Sequence, residues 1–468
     1  MSSDDYDVII VGAGTGGSAT GIELAKRGLK VLIIESRKKE KIGDKICGDA
    51  TSQSYYTRIA KEYGSTIKPP HGDEIRLVIN EYAVISPDRE HQYSIKRSIK
   101  EDDASWIIDR YAFGQRLINE AVATGCQLID NTRVVKPVIE NDFVVGVIAR
   151  DKKAQEIREY RAKVVVDASG IGAVIRKNLD QAKTHMDTEL LKTDIEYAYR
   201  EIRRVKNPIK DHTKCRIYFD QSLAPGGYYW VFPGGSNIVN AGLGVEPTGE
   251  YPSAKELFKQ QVLKGDVRYS GADFEDSEVL NAGGAFVPLR RAIDTLVWNG
   301  LVLVGDAGCT VKPTDGGGIG ISILAGVMAA DPITEAIKSG DYSRDGPLWK
   351  FNLEYMRKQA IKTSPLTIVK RVIIKVDNET INEIFRLKLV TQEEIDSVNR
   401  GEGLSLSIFG TAKKLVKARK ILGLLNELRK AKKDYDKAKE LYLSFPESYS
   451  NFTTWKEKIE GIFSKYYD

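Results

Sequence analysis

Only four cysteines and four histidines occur among the 468 residues. Cys47, Cys126, Cys215 and Cys309 stand far apart with no Cys-x-x-Cys pair, and His71, His91, His185 and His212 lack ligand spacing. Zinc, iron–sulfur and dithiol chemistry are therefore not expected, and no metal site is assigned, although the spacing leaves a disulfide open. No uncharged apolar run approaches the roughly 18–20 residues that span a bilayer. The start, Met1-Ser-Ser-Asp-Asp-Tyr6, has no basic stretch ahead of its first apolar segment. Neither a secretion signal nor an anchor is indicated, and a cytoplasmic location is expected. Charge of neither sign dominates: 70 Lys and Arg face 65 Asp and Glu, for a net +5. No nucleic-acid motif accompanies the basic residues that gather toward the C-terminus. Solvated helix faces are their plain reading, and an anionic lipid surface or an acidic protein is the functional one.

What is present begins at once. Val8-Ile-Ile-Val-Gly12-Ala-Gly14-Thr-Gly16-Gly17 reads as a strand, a glycine turn and the start of a helix, and Lys30-Val-Leu-Ile-Ile-Glu35 as a second strand ending in an acid. This is a dinucleotide-binding unit. Gly12 permits the tight turn, Gly14 lets the backbone approach a pyrophosphate, Gly17 lets helix and strand pack closely, and Glu35 accepts from a ribose.

Two later stretches favour FAD over a nicotinamide cofactor as the bound group. Lys163-Val-Val-Val-Asp167-Ala-Ser-Gly170, with Arg176, ends a buried-looking strand. Leu301-Val-Leu-Val-Gly305-Asp306-Ala-Gly308 is followed by Pro313 and Gly316-Gly-Gly318-Ile319-Gly320. Asp306 at a strand end beside a glycine-opened helix suits a ribityl hydroxyl and a flavin pyrimidine edge. With Asp109-Arg110-Tyr-Ala-Phe113, the chain resembles the FAD enzymes built like p-hydroxybenzoate hydroxylase. The resemblance implies that Gly12, Gly14, Gly16, Gly17, Glu35, Lys45, Gly48, Asp49, Arg110, Val134, Asp306, Gly318 and Ile319 hold the cofactor.

Size allows two or three domains. The expected fold is α/β: a discontinuous Rossmann-type FAD domain (1–72, 105–180 and 285–340), an inserted antiparallel-sheet substrate domain (73–104 and 181–284) and a helical C-terminal domain (341–468). Within this plan Asp109 caps a helix ending near Gly125, and Thr132–Ile139 and Phe143–Arg150 form a hairpin. Leu415, Leu422 and Leu425 share one face of a lysine-rich helix, with Lys413, Lys417 and Lys420 on others.

Tyr228-Tyr-Trp230-Val-Phe232-Pro233, followed by Gly242-Leu-Gly244, and Lys45-Ile-Cys47-Gly48-Asp49 complete the set. Alternate residues of a strand share a face, so Tyr228, Trp230 and Phe232 line one wall. These motifs resemble the geranylgeranyl reductases, most closely the archaeal enzymes that saturate geranylgeranyl chains on glycerol-phosphate ethers. The resemblance covers the chain to about residue 360. It implies reduction of isolated alkenes by reduced FAD, with a geranylgeranylated glycerophospholipid as substrate and NAD(P)H or reduced ferredoxin as electron donor. Cys47 is the catalytic candidate, and Tyr228, Trp230, Phe232, Tyr218 and Lys370 are the substrate contacts. Lys370, Arg371 and Lys375 follow Pro365-Leu-Thr-Ile-Val and are candidates for the head-group phosphate. The basic stretch Lys413 to Lys433 offers peripheral contact with an anionic membrane. The rivals are an aromatic hydroxylase or halogenase on the same scaffold, which would leave the aromatic and cysteine motifs unexplained, and a prenyl-binding escort without chemistry.

Overall fold

The computed structural model describes residues 6–97, 103–247, 251–264, 270–391, 394 and 421–467. Its first sheet places Tyr6–Val11 between Val31–Ile34 and Ile157–Asp167, both parallel to it, with Leu301–Leu303 and Gln127–Ile129 outside them. These strands are covered on both faces, which is why they read as unbroken Val and Ile runs. The helix Thr15–Lys26 can lie on the sheet because Gly17 has no Cβ: one there would stand 2.0 Å from Gly12 O. The helix Ile319–Ser339 crosses it just as closely, since a Cβ on Gly326 would meet Gly16 O at 2.6 Å. That helix is long and apolar enough to cross a membrane, and 89% of its apolar window is buried inside the protein. Its composition is that of a core helix.

The second sheet orders seven strands: Glu278–Pro288, Ile195–Arg204, Ile238–Val245, Tyr229–Pro233, Lys214–Tyr218, Glu81–Ile85 and Gln92–Lys96. It departs from the expected antiparallel pattern once, where Lys214–Tyr218 runs parallel to Glu81–Ile85. Those two strands are separated by over a hundred residues of chain, a connection long enough to permit parallel entry. Ala50–Ser52, Ser105–Ile108 and Ile75–Val78 make a small third sheet. Residues 75–78 thus pair with the segment leading into the helix Arg110–Thr124 rather than joining the large sheet. That helix is capped by Asp109 and ends at Gly125, as expected.

The C-terminal helices share most of their core with the first sheet, beside two small clusters of their own around Leu389, Ile421 and Leu425 and around Leu366, Val369 and Tyr435. Trp349, Phe445, Phe452 and Trp455 pack in the same apolar cluster as Val8, Ile33 and Leu324. In the helix Ile421–Leu443, Leu425 is buried but Leu422 is exposed. Leu415, Lys413, Lys417 and Lys420 lie outside the described residues.

Candidate active site

A cavity of about 500 Å³ opens where the first strand ends. Gly12, Gly14, Glu35, Lys45, Arg110, Val134 and Asp306 all line it, drawn together from distant stretches of chain as the motifs required. Gly12 turns at φ +102°, and a Cβ on Gly14 would meet no atom within 4 Å, so the backbone is bare toward the cavity. Glu35 accepts from the Ala13 and Arg37 backbone N–H groups, both at 2.8 Å. Lys45 Nζ lies 3.3 Å from Asp306 Oδ2. Arg110 is buried, yet one of its terminal nitrogens has no hydrogen-bond partner. An unpaired guanidinium N–H beside an open helix N-terminus fits a diphosphate, so the residues present fit FAD.

Six of the expected cofactor contacts stand outside this lining: Gly16, Gly17, Gly318 and Ile319, and Gly48 and Asp49 in the segment that follows Lys45. Gly16 and Gly17 serve helix packing, for the reasons given above. Gly318 caps the helix Ile319–Ser339 beside Asp306: its Cβ would stand 2.8 Å from Val311 Cγ1 and 3.8 Å from Asp306 Oδ1. Ile319 is the first residue of that helix. The motif around Asp167 acts indirectly. Its carboxylate accepts from the Ile175 and Arg176 N–H groups at 3.0 and 3.1 Å, and Arg176 Nε donates to Ala307 O at 2.9 Å, fixing the loop that carries Asp306.

Residues 45–49 leave the cavity and run to the aromatic row. Tyr228, Trp230 and Phe232 do share one face, with centroids 5.9 and 6.3 Å apart. Tyr82 joins them edge-on to Phe232 at 6.2 Å. The Gly-x-Gly makes room for what faces it: a Cβ on Gly242 would stand 2.4 Å from Trp230 Cζ2, and one on Gly244 2.9 Å from Glu196 Oε2. Gly48 and Asp49 therefore belong to the aromatic side, not to the cofactor cavity. A Cβ on Gly48 would stand 3.1 Å from Phe232, and buried Asp49 accepts from Asn240 Nδ2 at 2.8 Å. Asn240 also accepts from Trp230 Nε1 at 3.0 Å and donates to Cys47 O at 2.8 Å. All four cysteines are free, Cys47 half-buried and the others buried. Burial, and then the neighbouring Asp49 charge, pushes the Cys47 thiol up.

Two substrate assignments need correction. Tyr218 pairs with Tyr229 in register and stacks on it at 4.8 Å, on the face opposite Trp230. It belongs to the apolar cluster around Val231 and Leu243, so it cannot line the aromatic row. Lys370 is buried, its ammonium 3.0 Å from Glu196 Oε1. Arg371 beside it is paired with Asp194 and Glu246 at 3.4 and 3.6 Å. Neither cation stands at a surface where a head group would meet it.

Asn240, Tyr82 and Glu196 were not anticipated. The signal for Asn240 was there: one amide inside the otherwise apolar strand Ile238–Val245. Among the described residues, the one His/Cys/Asp/Glu group with metal-ligand reach is Asp88, Glu90 and His91, on the turn between Glu81–Ile85 and Gln92–Lys96.

Residues 7–187 match the FAD dependent oxidoreductase family, and residues 194–287 the geranylgeranyl reductase catalytic domain. Over 466 residues the chain is 33% identical to a digeranylgeranylglycerophospholipid reductase of Sulfolobus acidocaldarius, covering 100% of this chain and 99% of that one. One of the same name from Methanosarcina acetivorans is 28% identical, covering 92% and 97%. Among solved structures, a geranylgeranyl bacteriochlorophyll reductase-like protein of Thermoplasma acidophilum superposes with a TM-score of 0.73 at 24% identity, covering 92% of this chain and 99% of that one. A flavin-dependent brominase follows at 0.63 and 18%, covering 89% and 100%. Both of these likenesses are of fold.

Proposed function

The chain belongs to the digeranylgeranylglycerophospholipid reductase family, and from that premise we propose how its residues carry out the reduction. The protein is an FAD-dependent oxidoreductase that reduces geranylgeranyl chains on glycerophospholipids. The observation that carries the site assignment is the short segment 45–49, whose Lys45 lines the cofactor cavity and whose Gly48 touches the aromatic row. An alkene lying along that row is thereby held next to the cofactor.

Bound and reduced, FAD supplies a hydride. The protein supplies the rest. Isolated trisubstituted alkenes lack a carbonyl to activate them, so positive charge builds at the more substituted carbon as a proton reaches its neighbour. The faces of Tyr228, Trp230 and Phe232 stabilise that charge, by about 2 kcal/mol or thirtyfold in rate for a well-placed desolvated ring. Cys47, half-buried between cavity and row, is the group we assign to the proton.

Electrons come either from NAD(P)H docking transiently at the flavin or from reduced ferredoxin on the basic surface. Stopped-flow bleaching of the flavin by each donor separates the two. The protein works in the cytoplasm, and contact with an anionic membrane through the basic segment ending at Lys433 would give access to lipid. Co-sedimentation with anionic vesicles tests that contact. Mass spectrometry of a geranylgeranyl glycerophospholipid incubated anaerobically with the holoenzyme and dithionite tests the reaction. Stepwise gain of paired hydrogens is expected; an unchanged lipid would overturn the reading.

A further inference from the structure

We propose, resting on the reductase reading above, that Arg97, set against the edge of the aromatic row, takes the phosphate of the geranylgeranylated lipid, with Lys312 of the glycine-rich loop as the second cation at that place. Arg97 follows the strand Gln92–Lys96 directly, and its backbone N–H donates to Asn80 O at 2.8 Å, which extends the pairing with Glu81–Ile85 by one residue. Its side chain is thereby brought to Tyr82, with Cζ 5.6 Å from the ring centroid, within cation–π range. Tyr82 is the ring that meets Phe232 edge-on at 6.2 Å, so the guanidinium stands one ring away from the row.

Arg97 differs from the arginines around it in having no counter-charge. Arg76 lies 2.6 Å from Asp109, Arg89 3.5 Å from Asp220 and Arg216 3.8 Å from Asp211, while Arg200 donates to Asn281 Oδ1 at 2.6 Å. Among the described residues Arg97 forms no ion pair, and its Nε is buried without a hydrogen-bond partner. Contact with Tyr82 uses the face of the guanidinium and leaves its N–H edge, the edge that grips two phosphate oxygens at once. A buried donor without an acceptor is destabilising, and an anion seated against it removes that cost.

The loop from Lys312 to Gly317 reaches the same place from the cofactor side. Tyr228 Oη donates to Asp315 O at 2.6 Å, which ties the loop to the row. Lys312 is paired with Asp315. Burial works against the Lys312 ammonium, the Asp315 charge outweighs it and holds the group above its ordinary value, and Arg97 is near enough to oppose that rise. Thr314 Oγ1, between the two loop charges in the chain, is a second buried polar atom with no partner. Arg97, Lys312 and Asp315 together leave one uncompensated positive charge beside an apolar wall. A geranylgeranylated phospholipid is the complement, an apolar chain ending in an anion. Lys370 and Arg371 offer nothing comparable, because each is buried against an acid.

The test follows lipid-dependent re-oxidation of the reduced holoenzyme with digeranylgeranylglyceryl phosphate and with its neutral counterpart digeranylgeranylglycerol, both delivered in the same uncharged detergent micelles. Flavin content checks that each variant folds. In wild type the half-saturating concentration should be about tenfold to a hundredfold lower for the phosphate, as a hydrogen bond to a charged group is worth. Arg97→Met should lose that preference, and Arg97→Lys should restore part of it, since a point charge replaces the planar fork. A purely structural Arg97 would weaken both lipids together and leave their ratio at the wild-type value, and that result would overturn the proposal. So would a wild type with no preference for the phosphate, a measurement that needs no variant. Wild type re-oxidised by neither lipid would instead overturn the reductase reading.

Discussion

Replacing Gly242 by alanine tests whether the aromatic row depends on the space beside it. The added Cβ would stand 2.4 Å from Trp230 Cζ2, 2.5 Å from Arg200 Cβ and 2.7 Å from Tyr199 O. A rigid ring and a sheet carbonyl cannot yield as a flexible side-chain tip does. Overpacking of this kind costs about 1–3 kcal/mol, offset by about 0.5–1 kcal/mol gained when glycine leaves a strand interior. A net loss of about 1–2 kcal/mol is expected in urea unfolding of the holoenzyme. The indole should also be forced off Asn240, lowering lipid reduction by about tenfold or more while flavin content holds, which corresponds to about 1.4 kcal/mol of lost transition-state stabilisation. Gly244→Ala is the control, because its Cβ meets only Glu196 Oε2 at 2.9 Å, the tip of a side chain. Trp230→Phe removes the clashing atom, so the double variant should be about 1 kcal/mol more stable than the two single losses predict. Wild-type stability in Gly242→Ala, or strict additivity in the double variant, would refute this reasoning.

Three further outcomes follow from the geometry. Arg110→Met should weaken FAD binding by about tenfold to a hundredfold in flavin-fluorescence titration, since the lost charge-assisted hydrogen bond to a diphosphate is worth about 1.5–3 kcal/mol; unchanged affinity would remove Arg110 from the cofactor site. Lys370→Ala leaves Glu196 buried and unpaired, so it should lose about 3–5 kcal/mol of stability; a variant that folds normally but needs far more phosphorylated lipid to saturate would revive the head-group role. Asp49 has a folded-state value of about 6 against an ordinary 3.8, so the folded protein holds this proton more tightly than the unfolded chain. Its effect on stability is nil below both values, grows unfavourable as pH rises between them, and levels off above the folded value at about 3 kcal/mol. The stability difference between Asp49→Asn and wild type should therefore climb across that window, and a flat difference would show an unperturbed carboxyl.

The elements with local causes were legible in the sequence. The Gly12 turn, the Asp109 cap and the hairpin after Thr132 each follow from a few neighbouring residues, and the structure reproduces them. Motif order likewise brought Glu35, Arg110, Val134 and Asp306 to one cavity. Tyr218 failed for a reason of register. Lys214–Tyr218 puts buried Arg216 and Tyr218 on one face and buried Cys215 and half-buried Ile217 on the other, so polarity does not mark an outer face and only the pairing with Tyr229 decides which side the ring takes. Lys370 failed because its partners, Glu196 by direct contact and the acids beside Arg371, lie over a hundred residues away in the chain. A cation on an amphipathic helix looks solvated until distant acids are placed against it.

The same separation explains why Asn240 and Asp49 escaped notice as a pair. Each taken alone is ordinary, an amide in a strand and an acid after a glycine; only the sheet brings them to 2.8 Å. Their closeness meets a conflict inherent in reducing an unactivated alkene. The site has to be dry and aromatic for a developing cation to be stabilised, yet a proton has to arrive there, and bulk water would defeat the first requirement. Asp49, buried behind the row and held by an amide that also anchors the indole, closes this side of the row against solvent. The strained turn at Asp49 is then the consequence of asking one segment of five residues to touch the cofactor cavity at Lys45 and the aromatic row at Gly48.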